Sequence, residues 1–501
     1  MSTRRPADHA SGSDHARSTD TGSDGQAGQG LRAAGLGTAH LVFFVVAAAA
    51  PLTVVAGVVP LAIRTGGTSA AFGYLVPALV LLLFAVGFTA MSPLIRNAGA
   101  FYSYIAHGLG RRLAVGSALI AVVSYNAMTI CLIAGFTFYA QSMLSSVFGV
   151  TISWIPLAAL AIAGVALLGY FKVTLGARVL GLALGLEVLV LLVYEIAVIG
   201  KGGHQGAQFT AQVFDPSVMT HSGFGAMLVL TAGGFIGFEA TALYAEEARD
   251  PARTVPRATY IAIGFLGLFY TFSVWCVFMA YGPDGALTVA NGDGVSNLTF
   301  DSMGTWVGPW LSETAQALLC TSAFAAALAF HNAAARYHFT LAREKLLPAA
   351  VSYVSPAHGS PAGGVAVQTL INVVVFTIAA AAGADPYLVV FLWSSAPGVL
   401  GILLLEGIAA VAIVMFFRRE RHGHSIWRTA VAPGLAAVGL FGLVALSVSQ
   451  IDLLTAADGV TNVLLLAPIP LALLGGVALA TYFKRNRPDD YAALTTLEVD
   501  R

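Results

Sequence analysis

The run Thr231-Ala232-Gly233-Gly234-Phe235-Ile236-Gly237-Phe238-Glu239 lies inside an apolar stretch, residues 223–244, and carries three glycines and a terminal carboxylate. Each glycine weakens a helix by about 1 kcal/mol relative to alanine, so this span is expected to break near its middle. A second stretch, residues 40–62, is interrupted in a comparable place by Ala50-Pro51-Leu52-Thr53-Val54-Val55-Ala56-Gly57. Proline there removes a backbone donor and clashes with the preceding turn. A proline kink and a glycine packing notch are each common in membrane helices. The recurrence five spans apart favours a different reading, in which two broken spans meet at a binding site near the bilayer midplane.

The rest of the chain supplies the frame for those two stretches. It is 57% apolar and 10% charged, with mean hydropathy +0.80, against about 25% charged residues in soluble domains. Apolar runs fall at about 40–62, 72–92, 113–143, 153–170, 176–199, 223–244, 258–281, 311–333, 363–382, 387–416, 429–449 and 461–483. Each is long enough for a transmembrane helix, which predicts an all-α polytopic membrane protein with twelve transmembrane helices. The Lys and Arg residues fall almost entirely in every second gap, and only Arg64 and Lys201 lie on the opposite side. Basic residues near span ends stay cytoplasmic, so both termini are expected inside the cell and the protein in the cytoplasmic membrane. A first apolar run beginning some 40 residues in gives no sign of a cleavable signal peptide. Formal net charge is zero, which leaves no case for nucleic-acid binding.

Residues 1–34, rich in Ser, Gly and Asp, are expected to be a disordered cytoplasmic tail. Cys131, Cys276 and Cys320 fall inside apolar runs and read as small buried side chains rather than a disulfide framework.

The broken spans suggest a ligand. A half-helix that starts in the membrane offers unpaired N–H groups and a positive dipole end, which suit a carboxylate. One that ends there offers free carbonyls, which suit an ammonium group or a cation. A small molecule carrying both groups satisfies both ends.

Four carboxylates, Glu187, Glu195, Glu239 and Glu406, fall within the spans, and each costs at least about 2.5 kcal/mol if ionised and unpaired at a span centre. Glu187, mid-span, is read as a proton-loading group in preference to a Glu bonded to a neighbouring helix. Glu239 closes the break in span six; local support of the unwound backbone and a proton-coupling role both fit it. Glu195, near the outer end of its span, is expected to reach the interface and serve structure. Tyr125-Asn126 and Trp393-Ser394-Ser395 could wall a pocket or make ordinary interhelical bonds. His331 and Asn332 are read as inner-gate or packing residues.

Three loop segments carry a family likeness. They are Arg96-Asn97-Ala98-Gly99-Ala100-Phe101-Tyr102-Ser103-Tyr104; Gly237-Phe238-Glu239 followed by Glu246-Glu247-Ala248-Arg249-Asp250-Pro251 and Thr254-Val255-Pro256-Arg257-Ala258; and Arg336 through Arg343-Glu344-Lys345-Leu346-Leu347-Pro348 to Gly359-Ser360-Pro361. In this order they resemble the amino acid–polyamine–organocation (APC) superfamily of permeases, over roughly residues 35–485. The resemblance implies a LeuT-like fold: a first five-helix repeat (35–200), a second inverted repeat (201–417), two extra transmembrane helices (418–485) and a cytoplasmic C-terminal tail (486–501). It implies alternating access and no cofactor. It also implies that backbone of Thr53, Val54 and Val55 faces a substrate carboxylate while Phe235, Ile236 and Gly237 face the amine. The chain departs from the family at Thr53-Val54-Val55, where relatives carry a glycine-rich break. It departs again at Gly233, where some carry a bulky aromatic, and at Glu187, where some proton-coupled relatives have Lys.

The expected function is thus a secondary active transporter of an amino acid or small amine, coupled to protons, with Glu187 and Glu239 as its proton-coupling candidates. The candidate substrate-binding set is Pro51, Thr53, Val54, Val55, Ala56, Gly57, Asn126, Gly233, Gly234, Phe235, Ile236 and Gly237. Sodium coupling through Thr321 and Ser322 and amino acid exchange are the alternatives, followed by a transport-derived sensor or channel. No catalytic motif supports an enzyme.

Overall fold

The computed structural model describes residues 37–95, 101–171, 177–204, 212–220, 222–238 and 250–494. Among these residues all regular structure is helical and there is no strand. Helices satisfy their own backbone polar groups, which hydrocarbon cannot do. The principal helices are α1 (Thr38–Ala49), α2 (Val59–Gly66), α3 (Ala70–Met91), α4 (Phe101–Leu109), α5 (Arg111–Phe148) and α6 (Trp154–Tyr170). They continue with α7 (Ala177–Gly200), α8 (Phe224–Gly233), α9 (Pro251–Tyr281), α10 (Pro283–Asn291), α11 (Leu298–Trp306) and α12 (Pro309–Arg343). The last are α13 (Ala362–Ala381), α14 (Leu392–Arg419), α15 (Ala432–Ser449), α16 (Gly459–Leu466) and α17 (Pro468–Asn486).

Among the described residues, nine helical stretches are long and apolar enough to cross a membrane. The difference from the twelve expected runs has local causes. The end of the first run and the second flow together as one helical path, Thr53–Met91. The fourth and sixth are the shorter apolar helices Trp154–Tyr170 and Phe224–Gly233; the sixth is cut short by its own glycines. The expected N-terminal tail, residues 96–100 of the first loop signature, residues 239–249 of the second and residues 495–501 lie outside the described residues.

Helix α5 is the central pillar, packed against α12, α14 and α17, while α3 packs on α9, and α8 on α2 and α3. The α5–α17 crossing is set by glycine: a Cβ on Gly476 would stand 2.5 Å from Gly116 Cα. Close backbone approach through small residues is how membrane helices gain dispersion contacts without a hydrophobic drive. Leu435, Val438, Leu471 and Leu474 point outward and are exposed, as a lipid-facing surface requires. Two of the loop signatures meet on one side of the bundle, where the Tyr102 hydroxyl donates to Glu344 Oε2 at 2.5 Å. This bond ties α4 to the end of α12.

Candidate functional site

The first break is a change of helix, not a loss of it. α1 stops at Ala49, and Ala50 takes φ +48°, a region sparsely populated by residues with a Cβ. Helix resumes at Pro51, where a missing N–H costs nothing because the first turn has no intrahelical acceptor for it. The chain then winds as a π-helix over Thr53–Val58 before entering α2. Every residue of that turn is buried.

The polar groups exposed by this break are met by side chains from distant helices. Leu52 N–H, at the new helix start, donates to Glu187 Oε2 at 3.3 Å. Glu187 on α7 is 3% exposed, and the Ser322 hydroxyl of α12 is its other partner. Ala49 O, at the end of α1, accepts from Tyr270 of α9 at 3.3 Å. Val55 O accepts from Thr299 of α11 at 3.1 Å. Gly57 O accepts two phenols, Tyr139 of α5 at 3.1 Å and Tyr387 at 2.9 Å. Thr53 Oγ1 is buried and has no hydrogen-bond partner among the described residues. The positive end of the half-helix, assigned from sequence to a ligand carboxylate, therefore has the protein's own carboxyl at its edge.

The second break follows α8. From Gly234 onward the N–H groups of Gly234, Phe235, Ile236 and Phe238 each bond the carbonyl three residues back, the tight winding that ends helices. Gly237 has φ +112°, a conformation effectively reserved for glycine. Phe235, Ile236 and Phe238 are buried, Phe238 against the rings of Phe84 and Phe88. The two breaks touch: a Cβ on Gly234 would stand 3.3 Å from Val54 Cγ2 and 3.3 Å from Tyr270 Cε2. On Gly233 it would meet Val399 Cγ2 at 3.1 Å.

The fold thus brings Gly234 and Phe235 of the second break against Val54 and Tyr270, with Glu187 at Leu52 of the first; Pro51, Thr53, Val55, Ala56 and Gly57 continue the first break and Gly233, Ile236 and Gly237 the second. A family model for amino acid permeases matches residues 36–469, a range that contains both breaks. The chain belongs to the amino acid permease family. It is accordingly a multi-pass membrane protein of the APC superfamily and a transporter of amino acids rather than an enzyme. A comparison with curated proteins found no match.

Other candidates fall elsewhere in the permease. Asn126 is removed from Gly57 of the first break and makes other contacts: its Nδ2 donates to Val122 O at 2.6 Å and lies 3.3 Å from His338 Nε2. Tyr139, the residue of the same helix that reaches Gly57, is displaced from it by about 20 Å at 1.5 Å rise per residue. Trp393 Nε1 donates to Thr455 O at 3.0 Å, and the Ser394 and Ser395 hydroxyls bond carbonyls of their own segment, Val390 and Leu392, so these groups are engaged structurally. Thr321 lies on the exposed face of α12 and bonds Leu318 O, whereas Ser322 faces Glu187. Glu195 does not reach an interface; it is fully buried. Glu406 is buried as well, and Glu239 lies outside the described residues.

Tyr139, Tyr270, Thr299 and Tyr387 went unmarked in the sequence. A buried phenol needs an acceptor, and a broken helix supplies carbonyls, so the existence of such partners was inferable. Which hydroxyl reaches which carbonyl was not.

Proposed function

We propose that this permease moves an amino acid or related small amine across the cytoplasmic membrane by alternating access, in symport with a proton carried by Glu187. The proposed frame is a LeuT-like arrangement of twelve spans, with repeats at 35–200 and 201–417, extra helices in 418–485, and both termini cytoplasmic. The observation that carries the proton role is the placement of the Glu187 carboxyl against Leu52 N–H. An ionised Glu187 completes the helix start and competes with an incoming substrate carboxylate for the positive dipole end. Protonation removes that competing charge, so proton and substrate load together. The substrate ammonium then faces the break of span six around Phe235–Gly237, and the unpartnered Thr53 hydroxyl is available to the ligand. Burial gives the neutral form its advantage, since a lone ionised carboxyl at this depth costs at least about 2.5 kcal/mol. Glu239 remains a proposed second proton-coupling residue.

Sodium coupling receives less support. Of its two candidate hydroxyls, Thr321 faces outward and Ser322 is engaged with Glu187.

The test is uptake of a labelled amino acid and amine panel into proteoliposomes, under an inward proton gradient without sodium, by wild type and Glu187→Gln. The expected result is accumulation that a protonophore abolishes, lost in Glu187→Gln while substrate counterflow persists. Full pH dependence in that variant would sink the proton role. Uptake appearing only with sodium would favour the Ser322 reading, and counterflow without accumulation would favour an exchanger.

A further inference from the structure

Helix α7 carries a second buried carboxyl that the proposed mechanism does not use. Glu195 is 0% exposed, its Oε1 accepts the Ser273 hydroxyl of α9 at 2.5 Å, and its Oε2 has no partner among the described residues. A structural role explains one bond only. A serine bond contributes about 1 kcal/mol net, and a buried polar atom left unpaired costs about 1–3 kcal/mol. A glutamine would make the same serine bond without the risk of a buried charge.

Hydroxyls flank Glu195 on two sides, towards the exposed end of α11 and towards the first break. The adjacent Tyr194 hydroxyl shares a 2.7 Å bond with Ser302 of α11. Asp301, the neighbour of Ser302, is exposed, and α11 also reaches the break, through Thr299 to Val55 O. In the other direction, Ser273 and Tyr270 lie one turn apart on α9. Tyr270 bonds Ala49 O and stands in electrostatic reach of Glu187. The titratable groups facing Glu195 are Tyr194 on its own helix and Cys276 of α9; Asp301 of α11 acts on Tyr281 of α9. None of these is a cation, so among the described residues no charge pins Glu195 in its ionised form.

We propose that Glu195 is a further proton-carrying residue, which loads from the α11 side past Tyr194 and Ser302 and passes the proton through Ser273 and Tyr270 to Glu187. Each step breaks one O–H bond on the donor and forms one on the acceptor. A hydroxyl in the line accepts a proton on one lone pair and gives up its own, with no electron transferred. The inference rests on the proton-symport reading of Glu187.

The experiment follows substrate-driven acidification inside proteoliposomes of the full-length permease with a trapped pH dye, alongside counterflow of the same substrate. Glu195→Gln is expected to slow proton entry about tenfold or more, in line with the loss of a positioned proton-transfer group, with counterflow within about twofold of wild type. Ser273→Ala and Tyr194→Phe keep the carboxyl and interrupt the line, so each is expected to slow proton entry less, again sparing counterflow. Proton entry unchanged in Glu195→Gln, or in both hydroxyl variants, overturns the relay and leaves the Glu187 reading standing. Equal loss of proton entry and counterflow assigns Glu195 a structural role and also overturns it. Wild type that transports substrate with no proton entry overturns both proposals.

Discussion

The two breaks solve one problem by different means. At Ala50–Val58 the backbone stays helical on both sides of a single left-handed alanine, and its freed polar groups are met by Glu187, Tyr270, Thr299, Tyr139 and Tyr387. Those partners come from well-separated parts of the chain. At Gly233–Phe238 the backbone tightens into successive turns that largely satisfy themselves, with Gly237 in a conformation side chains avoid and the aromatic residues locked into packing. The first break is held by borrowed hydrogen bonds and the second by backbone geometry. A break whose partners sit on other helices responds when those helices move. One that depends on missing Cβ atoms responds mainly to substitution.

That contrast sets an order of mutational effects. The largest is expected at Gly237, where Gly237→Ala forces a Cβ into φ +112° at a cost of about 1–3 kcal/mol. The measurements are thermal unfolding in detergent and substrate affinity, and both should fall, affinity by about tenfold for each 1.4 kcal/mol. Gly57→Ala is the matching change in the first break; its Cβ would first meet the Tyr139 phenol, at 3.2 Å, and a milder loss is expected. Equal tolerance at the two sites would erase the distinction.

A smaller effect concerns the shared carbonyl of Gly57. Tyr139→Phe or Tyr387→Phe alone leaves one phenol in place, so each should cost about 0.5–1.5 kcal/mol. The double variant should cost more than the sum, because only then is the carbonyl bare; a double-mutant cycle on thermal stability measures the excess. Strict additivity would mean the two phenols brace the break independently.

The smallest effect is indirect. Asp385 caps the helical turn that carries Tyr387, accepting from Tyr387 N–H at 2.8 Å and Leu388 N–H at 2.6 Å. Asp385→Ala should cost about 1 kcal/mol of stability and weaken transport slightly, while Asp385→Asn, still able to cap, should retain most of both. No change in either variant would separate the Tyr387 contact from its cap.

Much of this was legible in the chain. The position of both breaks followed from Pro51 and from Gly233, Gly234 and Gly237, because proline and glycine act on the backbone locally whatever surrounds them. The membrane class followed from the apolar runs, and Glu187 stood out because a carboxylate at mid-span has no cheap local solution. Other readings depended on direction around a helix axis. Thr321 and Ser322 are adjacent in sequence, yet one faces outward and the other meets Glu187. Glu195 was expected near an interface and is buried against Ser273. Asn126 was read as a pocket wall, and its amide bonds Val122 O and stands beside His338, well along α5 from Gly57 of the first break.

What the sequence determined by itself is therefore the set of local events: where helices form, where they are interrupted, and which residues bring charge into hydrocarbon. Tertiary structure alone decided the pairings, such as Glu187 with Leu52, Gly234 against Val54, and two phenols on Gly57. Backbone propensity and burial cost are properties of one segment at a time. A hydrogen bond between distant helices depends on their relative rotation and depth, which only the packed bundle fixes.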